Sequence, residues 1–292
     1  MTKRGYQVTI FEKEHILGGR GLSIDDFSQW SEKEYRGLLS RFHMKVAFAE
    51  PSVKQLFDEG LLEGYKLDLG YHAIGGGVFS NLNSVLSEFD MHLDFLESHV
   101  GFIREDGWNY PFLSRLDKLK ILPNIMRLLL ADEKKMQELD KVSMTETIKR
   151  YGKGKMTLIL EIFSRSITTV NNLDLISTGE MFRAQKNLYR GSKPVGYPVN
   201  GLNSIHSKLE SYILENGGVI HRDSPVEKII VENNKAKGVM VKGDEKFFDV
   251  VVSNVMVQDL FSIIDQTHFS SEYVEGVKNL QGTASLCCYV SL

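Results

Sequence analysis

Cysteine is nearly absent: two of 292 residues, side by side at Cys287 and Cys288. That number and spacing exclude a disulfide framework and the separated thiols of a zinc site, and they fit a reducing compartment. The apolar stretch around them predicts two buried core thiols. No apolar run approaches the roughly 20 residues that span a bilayer, and the N-terminus lacks the apolar core of a secretion signal, so cytoplasmic residence is the expectation. Charge of one sign is lacking too. The 35 basic and 38 acidic side chains leave a net charge of -3, with lysines and arginines scattered among acids, so no nucleic-acid partner is expected. No metal-ligating pattern occurs.

What the chain has is length and apolar content. With 292 residues, 42% of them hydrophobic, it carries a large core and reads as two interleaved domains. Its most informative stretch is a strand-like run, Tyr6 to Phe11, ending at Glu12 and followed by Gly18-Gly19-Arg20. A carboxylate at the end of the second strand of a dinucleotide-binding unit accepts hydrogen bonds from ribose hydroxyls, and a glycine-rich turn before it cradles the pyrophosphate. Glu12 is the carboxylate candidate. The glycine-rich turn belongs roughly 20 residues upstream, and Lys3-Arg4-Gly5 reads as the end of the helix that follows it. The chain is therefore expected to begin inside a fold.

Helix-like patterns cover Tyr35 to Ala49 and Pro51 to Glu59, with the proline at a helix start. Tyr65 to Leu69 alternates as a short strand, and Asp106-Gly107 marks a hairpin. Ser143-Met-Thr-Glu146 is a capping box, predicting a helix from Met144 to Tyr151. Further helices are expected over Met156 to Ile167 and Ile176 to Asn187. Leu119 to Leu130 is apolar with flanking cations. It reads foremost as a core helix interrupted at Pro123, and alternatively as a helix lying on a membrane surface. Leu202 to Ile213 has helical spacing and stops at Gly217-Gly218. Strands are expected at Val219 to His221, Val226 to Val231, Lys237 to Val241 and Phe247 to Val252. Ala284 to Leu292 is apolar and strand-like, and stops as if inside a core.

Four blocks in order resemble the FAD-dependent phytoene desaturase and amine oxidase superfamily, most closely its desaturase-like branch. They are Gly5 to Glu12 with Gly18-Gly19-Arg20, Leu67-Asp68-Leu69-Gly70-Tyr71-His72, Gly196 to Leu202, and Gly217 to Ile229 with Lys237-Gly-Val and Asp249 to Asn254. The resemblance implies an α/β fold: an incomplete FAD-binding Rossmann-type domain, glutathione-reductase-like, with an inserted α+β substrate domain. The FAD-binding domain would comprise residues 1–75, lacking the first strand and glycine-rich loop, and 191–260. The substrate domain would comprise the largely helical 76–190 and a return at 261–292. FAD is the implied cofactor, held by Glu12 at the ribose, by Gly18, Gly19 and Arg20 at the phosphates or flavin edge, by Gly70 and His72 near the flavin, and by the Val226 backbone at the adenine. His72 reads equally as a residue facing flavin or substrate and as a hydrogen-bonded core histidine. The family has Pro-x-Gly-Gly where this chain has Pro198-Val199-Asn200-Gly201, and Asn200 suits a helix N-cap.

The implied reaction is hydride transfer from a small apolar substrate, such as a polyene, isoprenoid or retinoid, to the flavin; no catalytic acid or base is identified. Peripheral membrane contact is a possible accompaniment, and nothing sets the oligomeric state. An amine or protoporphyrinogen oxidase is the alternative enzyme, and a prenyl-binding protein like Rab GDP dissociation inhibitor the alternative binding protein. The family's C-terminal Gly-Asp block is also lacking, so this stretch alone is expected to bind FAD poorly or not at all.

Overall fold

A computed structural model describes residues 1–70, 73–99, 101–105, 107–109, 112–188, 195–282 and 286–290. The fold mixes helices with five small sheets, and the chain divides into two compact units. The first comprises Met1–Leu22, Glu32–Glu50 and Ile205–Gly282, the second Ser23–Ser31, Pro51–Ser204 and Thr283–Leu292.

In the first unit a 3-10 turn, Thr2–Arg4, is closed by Gly5 at φ 81°, with Lys3 and Arg4 in its last turn as the cation pattern predicts. The strand Thr9–Phe11 follows and pairs in parallel with Val219–His221, Thr9 opposite Val219 and Phe11 opposite His221. The helix Asn203–Glu215 leads into that second strand. It ends where Gly217, at φ 77°, lets the chain reverse, and the Gly218 N–H donates to the Ile213 carbonyl at 2.8 Å. An antiparallel meander of Val226–Glu232, Lys235–Val241 and Asp244–Phe247 comes next. Both of its turns, Asn233-Asn234 and Lys242-Gly243, have positive φ at each position, the twist that tight hairpins need. The second turn corrects the last expected strand. Pairing starts at once at Asp244 and is over by Phe247, so Phe248 to Val252 is not strand; Phe248 and Val251 instead pack on the Ile229, Val239 and Val241 core, which Phe11 and Val226 also join.

The second unit holds three sheets and most of the helices. Ser23–Ile24 pairs antiparallel with Leu67–Asp68, a shorter strand than the Tyr65 to Leu69 pattern predicts. Val195–Pro198 is the central strand between Ile74–Gly75 and Phe95–Ser98. Gly196 is required there: an added Cβ would lie 2.7 Å from the Gly77 Cα. The hairpin Phe102–Arg104 with Gly107–Asn109 forms as expected. Ser143 caps Met144–Tyr151, accepting from the Glu146 N–H at 3.2 Å. That helix packs Met144 and Ile148 against Leu160 of Lys155–Thr168 and Met181 of Thr178–Leu188, with Ile176 between.

Four expectations need correction. The first helix is Glu32–Arg41 and stops well short of Ala49, since the left-handed His43 turns the chain. The next begins at Val53 under a Ser52 cap, which leaves Pro51 outside it. Pro123 does not interrupt its helix, which runs through from Arg115 to Leu130. Residues 286–290 are neither strand nor covered, so Cys287 and Cys288 are exposed rather than core thiols. Among the described residues no helix is long and apolar enough to cross a membrane.

Arg183 ties two helices of the second unit. It grips Asp140 with both terminal nitrogens, at 2.8 and 3.0 Å, and reaches Glu133 at 2.7 Å and Glu180 at 2.6 Å. Beneath it, Gly179 meets Glu133–Asp140 so closely that an added Cβ would sit 2.4 Å from the Met136 carbonyl. The Arg183 hydrogen bonds hold the Asp140 carboxyl below its ordinary value. A depressed carboxylate stabilises the fold above its unfolded value, about 3.9, and that contribution disappears as pH falls through the folded value. Arg183→Gln should therefore lower the thermal midpoint at neutral pH, and its difference from the wild type should shrink as the pH drops below about 4 in a melting series.

Candidate functional site

The sheet edge of the first unit carries the acidic candidate. Glu12 follows the last strand residue, its N–H donating to the His221 carbonyl and its own carbonyl accepting from Ser224, both at 2.8 Å. These bonds bring Glu12 beside the segment that enters the meander at Val226. The Val226 side chain is core, and its backbone opens a strand with a register shift before Lys228. The Glu12 carboxylate spends one oxygen on the chain: Oε1 accepts from the Glu14 N–H at 2.9 Å. Its Oε2 accepts no hydrogen bond among the described residues. Glu14 is the opposite case, buried and paired with Arg41 Nε at 2.8 Å. The sequence places both acids two residues apart; burial and pairing leave Glu12 as the one facing outward with acceptor capacity.

The two neighbouring glycines divide their work. Gly18, at φ 124°, is held by the protein itself: an added Cβ would lie 2.9 Å from the His206 ring. The His206 Nε2 is also 3.0 Å from the Gly21 carbonyl oxygen, so the imidazole sits across the Gly18–Gly21 turn. Gly19, at φ 53°, has open space where its Cβ would be, which leaves its backbone accessible to a ligand. Arg20 is exposed, touches the Met256 sulfur at 2.9 Å, and makes no ion pair among the described residues. Glu12 thus offers an acceptor oxygen, Gly19 an open backbone at positive φ, and Arg20 a guanidinium with no ion pair among the described residues. His206 was not legible in the sequence, since nothing in helical spacing marks a ring that packs on a glycine turn 185 residues away.

The second unit places the remaining motif. Asp68 Oδ1 accepts from the Ser23 hydroxyl and from the Leu202 N–H at 3.0 Å. Ser23 is fully buried, and every polar group it has is paired with Asn203 or Asp68. Its N–H donates to Asn203 Oδ1 at 2.9 Å, its carbonyl accepts from Asn203 Nδ2 at 2.6 Å, and its hydroxyl accepts from the Asn203 N–H at 3.1 Å. Asn203 Nδ2 also reaches Asp25 at 2.9 Å. Gly201, at φ 70°, passes so near that an added Cβ would lie 3.0 Å from the Ser23 hydroxyl. These contacts correct the capping expectation. Asn200 sits in the turn before the helix and caps nothing, because the first free N–H groups are taken by Asp68 and Ser23. Gly70 follows directly on this network, while His72 lies outside the described residues. Among the described residues no cluster of three or more His, Cys, Asp or Glu side chains could hold a metal.

Comparison with known proteins adds an independent line. A family model described as flavin containing amine oxidoreductase matches residues 1–292. A 4,4'-diapophytoene desaturase (4,4'-diapolycopene-forming) of Methylomonas sp is 46% identical over 55 residues, 18% of this chain and 11% of that protein. The chloroplastic prolycopene isomerase of Daucus carota is 37% identical over 68 residues, 23% of this chain and 11% of that one. An oxidoreductase from Methanosarcina mazei of known structure matches with a TM-score of 0.67 at 22% identity, covering 96% of this chain and 61% of that chain, a likeness of fold. The chain thus spans less than two thirds of the relatives it matches.

Substitutions at Asp68 and in the Gly18–Gly21 turn test the geometry. Asp68→Ala strands a buried hydroxyl and a helix N–H, and should destabilise by about 2–4 kcal/mol in denaturant titration, with Asp68→Asn recovering part through its remaining oxygen. Gly18→Ala should lower the thermal midpoint more than Gly19→Ala, and the excess should shrink in a His206→Ala background, where no ring opposes the added methyl but the φ of 124° and the nearby Leu22 backbone remain.

Proposed function

The chain belongs to the flavin containing amine oxidoreductase family, and from that premise we propose that it is part of an FAD-dependent oxidoreductase of the desaturase type. The observation that carries the reading is the strand-end Glu12, whose Oε2 accepts no hydrogen bond among the described residues, close in sequence to open Gly19 and to Arg20, which makes no ion pair among them. In this reading residues 1–75 and 191–260 form the Rossmann-type FAD-binding domain, and 76–190 with 261–292 the inserted substrate domain. The parallel pairing of Thr9–Phe11 with Val219–His221 and the helical character of the second unit support that division.

Glu12 Oε2 accepts from a ribose hydroxyl of the adenosine, where a carboxylate also repels a 2′-phosphate. The Val226 backbone, held next to Glu12 through the Ser224 bond, faces the adenine. Gly19 lets the main chain approach the pyrophosphate and Arg20 offers it a forked set of donors. By the family resemblance alone, Gly70 and His72 would serve the flavin end. FAD, when bound, supplies the two-electron acceptor, and the protein's part is to hold an apolar C–H donor against it without water. An apolar polyene or isoprenoid fits the names of the two curated relatives, a diapophytoene desaturase and a prolycopene isomerase.

The Asn203 helix N-terminus, which could otherwise receive phosphate, is filled by Asp68 and Ser23. Residues 1–292 therefore hold the cofactor loosely, through Glu12 and Arg20 above all. Titration of FAD into this chain, followed by quenching of flavin fluorescence, should show weak binding that Glu12→Ala weakens a further tenfold or so, the loss of one charge-assisted hydrogen bond. Binding indifferent to Glu12→Ala and Arg20→Ala removes the assigned site. A full-length protein that neither carries flavin absorbance nor takes up FAD removes the redox reading altogether.

A further inference from the structure

The helix Arg115–Leu130 turns its apolar side outward. Leu116, Leu119, Leu122, Met126 and Leu130 are 44–78% exposed. At about 100° per residue they fall within a stripe roughly 120° wide. The opposite side carries Asp117 and Ile121, which are half-buried. The polarity of an ordinary surface helix is reversed.

Charge says what covers this stripe. Lys118 lies along one edge, Lys120 and Arg127 along the other, and Arg115 at the helix start; all four are exposed. The helix has a single acid, and Asp117 is already engaged by Lys155 at 2.7 Å and by the Ser114 hydroxyl at 2.8 Å. Those bonds also keep it ionised, with its carboxyl lowered to about 2. Four cations therefore remain without a compensating acid on the helix. A second copy presenting the same stripe would bring like charges together along both edges. An anionic bilayer meets every feature: apolar side chains enter the acyl boundary while lysine and arginine stems reach back to phosphate. Sixteen residues span about 24 Å, so the helix fits along the surface. The hairpin in the same unit adds a second outward apolar pair, Ile103 opposite Trp108, 93% and 73% exposed, with tryptophan suited to the headgroup level.

We infer that the Arg115–Leu130 helix is a membrane-surface contact that docks this protein on anionic phospholipid. The inference rests on exposure and charge and is independent of the flavin reading.

Co-sedimentation with extruded vesicles tests it. The wild-type chain should pellet with phosphatidylglycerol-containing vesicles, far less with phosphatidylcholine alone, and less as salt rises. Leu116→Glu with Leu119→Glu changes exposed positions in the first helical turns, where acids suit the helix dipole; the fold should survive, checked by circular dichroism, and vesicle binding should fall about tenfold or more. Lys118→Glu with Lys120→Glu should remove the preference for anionic lipid while leaving the stripe intact. Vesicle binding absent in the wild type, unchanged in either double variant, or indifferent to lipid charge overturns the inference. So does self-association by light scattering that the Leu116→Glu, Leu119→Glu variant abolishes, which would make the stripe an interface between copies.

Discussion

A fully buried serine fixes much of the second unit. Burying a hydroxyl and a peptide group without partners costs several kcal/mol, so the position is tolerable only if every donor and acceptor is met. At Ser23 all are met, by Asn203 and Asp68. The partners come from segments 45 and 180 residues distant in sequence. A network of this kind works as a lock, since removing one member leaves the others buried and unpaired. It also sets where the Asn203–Glu215 helix can begin: the Leu202 and Asn203 N–H groups are already committed, and Gly201 must be glycine to let the chain pass beside Ser23.

That commitment has a chemical consequence. A helix N-terminus is the usual receiver of a phosphate, through its free N–H groups and dipole. Here a carboxylate of the protein, Asp68, occupies that role. In the proposed reading, phosphate recognition in the first unit would fall to Arg20 and the open Gly19, and ribose recognition to Glu12. The division between Gly18 and Gly19 follows the same logic: one glycine accommodates His206, the other is free for a ligand. Adjacent identical residues thus differ in setting: Gly18 is packed against the His206 ring and Gly19 is open.

Local chemistry was legible in the sequence wherever a few neighbouring residues decide the outcome. Gly5 and Gly217 close their turns, Ser143 caps its helix through the Glu146 N–H, and Asn233-Asn234 makes a tight turn, because each depends on side chains a few positions away. Glu12 was legible as a strand-end acid. What the sequence hid were contacts made by chain returning from far away. Asn200 looked like the cap because it precedes the helix, yet Ser23 and Asp68 arrive from elsewhere and take the N–H groups. The uncommitted state of Glu12 Oε2 rests equally on Arg41 having claimed Glu14, a pairing 27 residues apart. Strand ends were lost for a related reason: Phe247 to Val252 has strand composition, but pairing had begun earlier, at the Lys242-Gly243 turn.

The outward leucines of Arg115–Leu130 show where composition misleads most. A run of leucine, isoleucine and methionine interrupted by proline reads as core because burial is the commonest fate of such residues. Composition cannot tell which side of a helix the rest of the protein covers. The inward side is the one on which Asp117 meets Lys155, a contact 38 residues away in sequence. Once that acid turns toward the protein, the helical period carries the leucines out and lines both of their edges with cations. The ion pair marks the side turned toward the protein, and the other side is an apolar, cation-edged stripe whose natural complement is a surface both oily and negative.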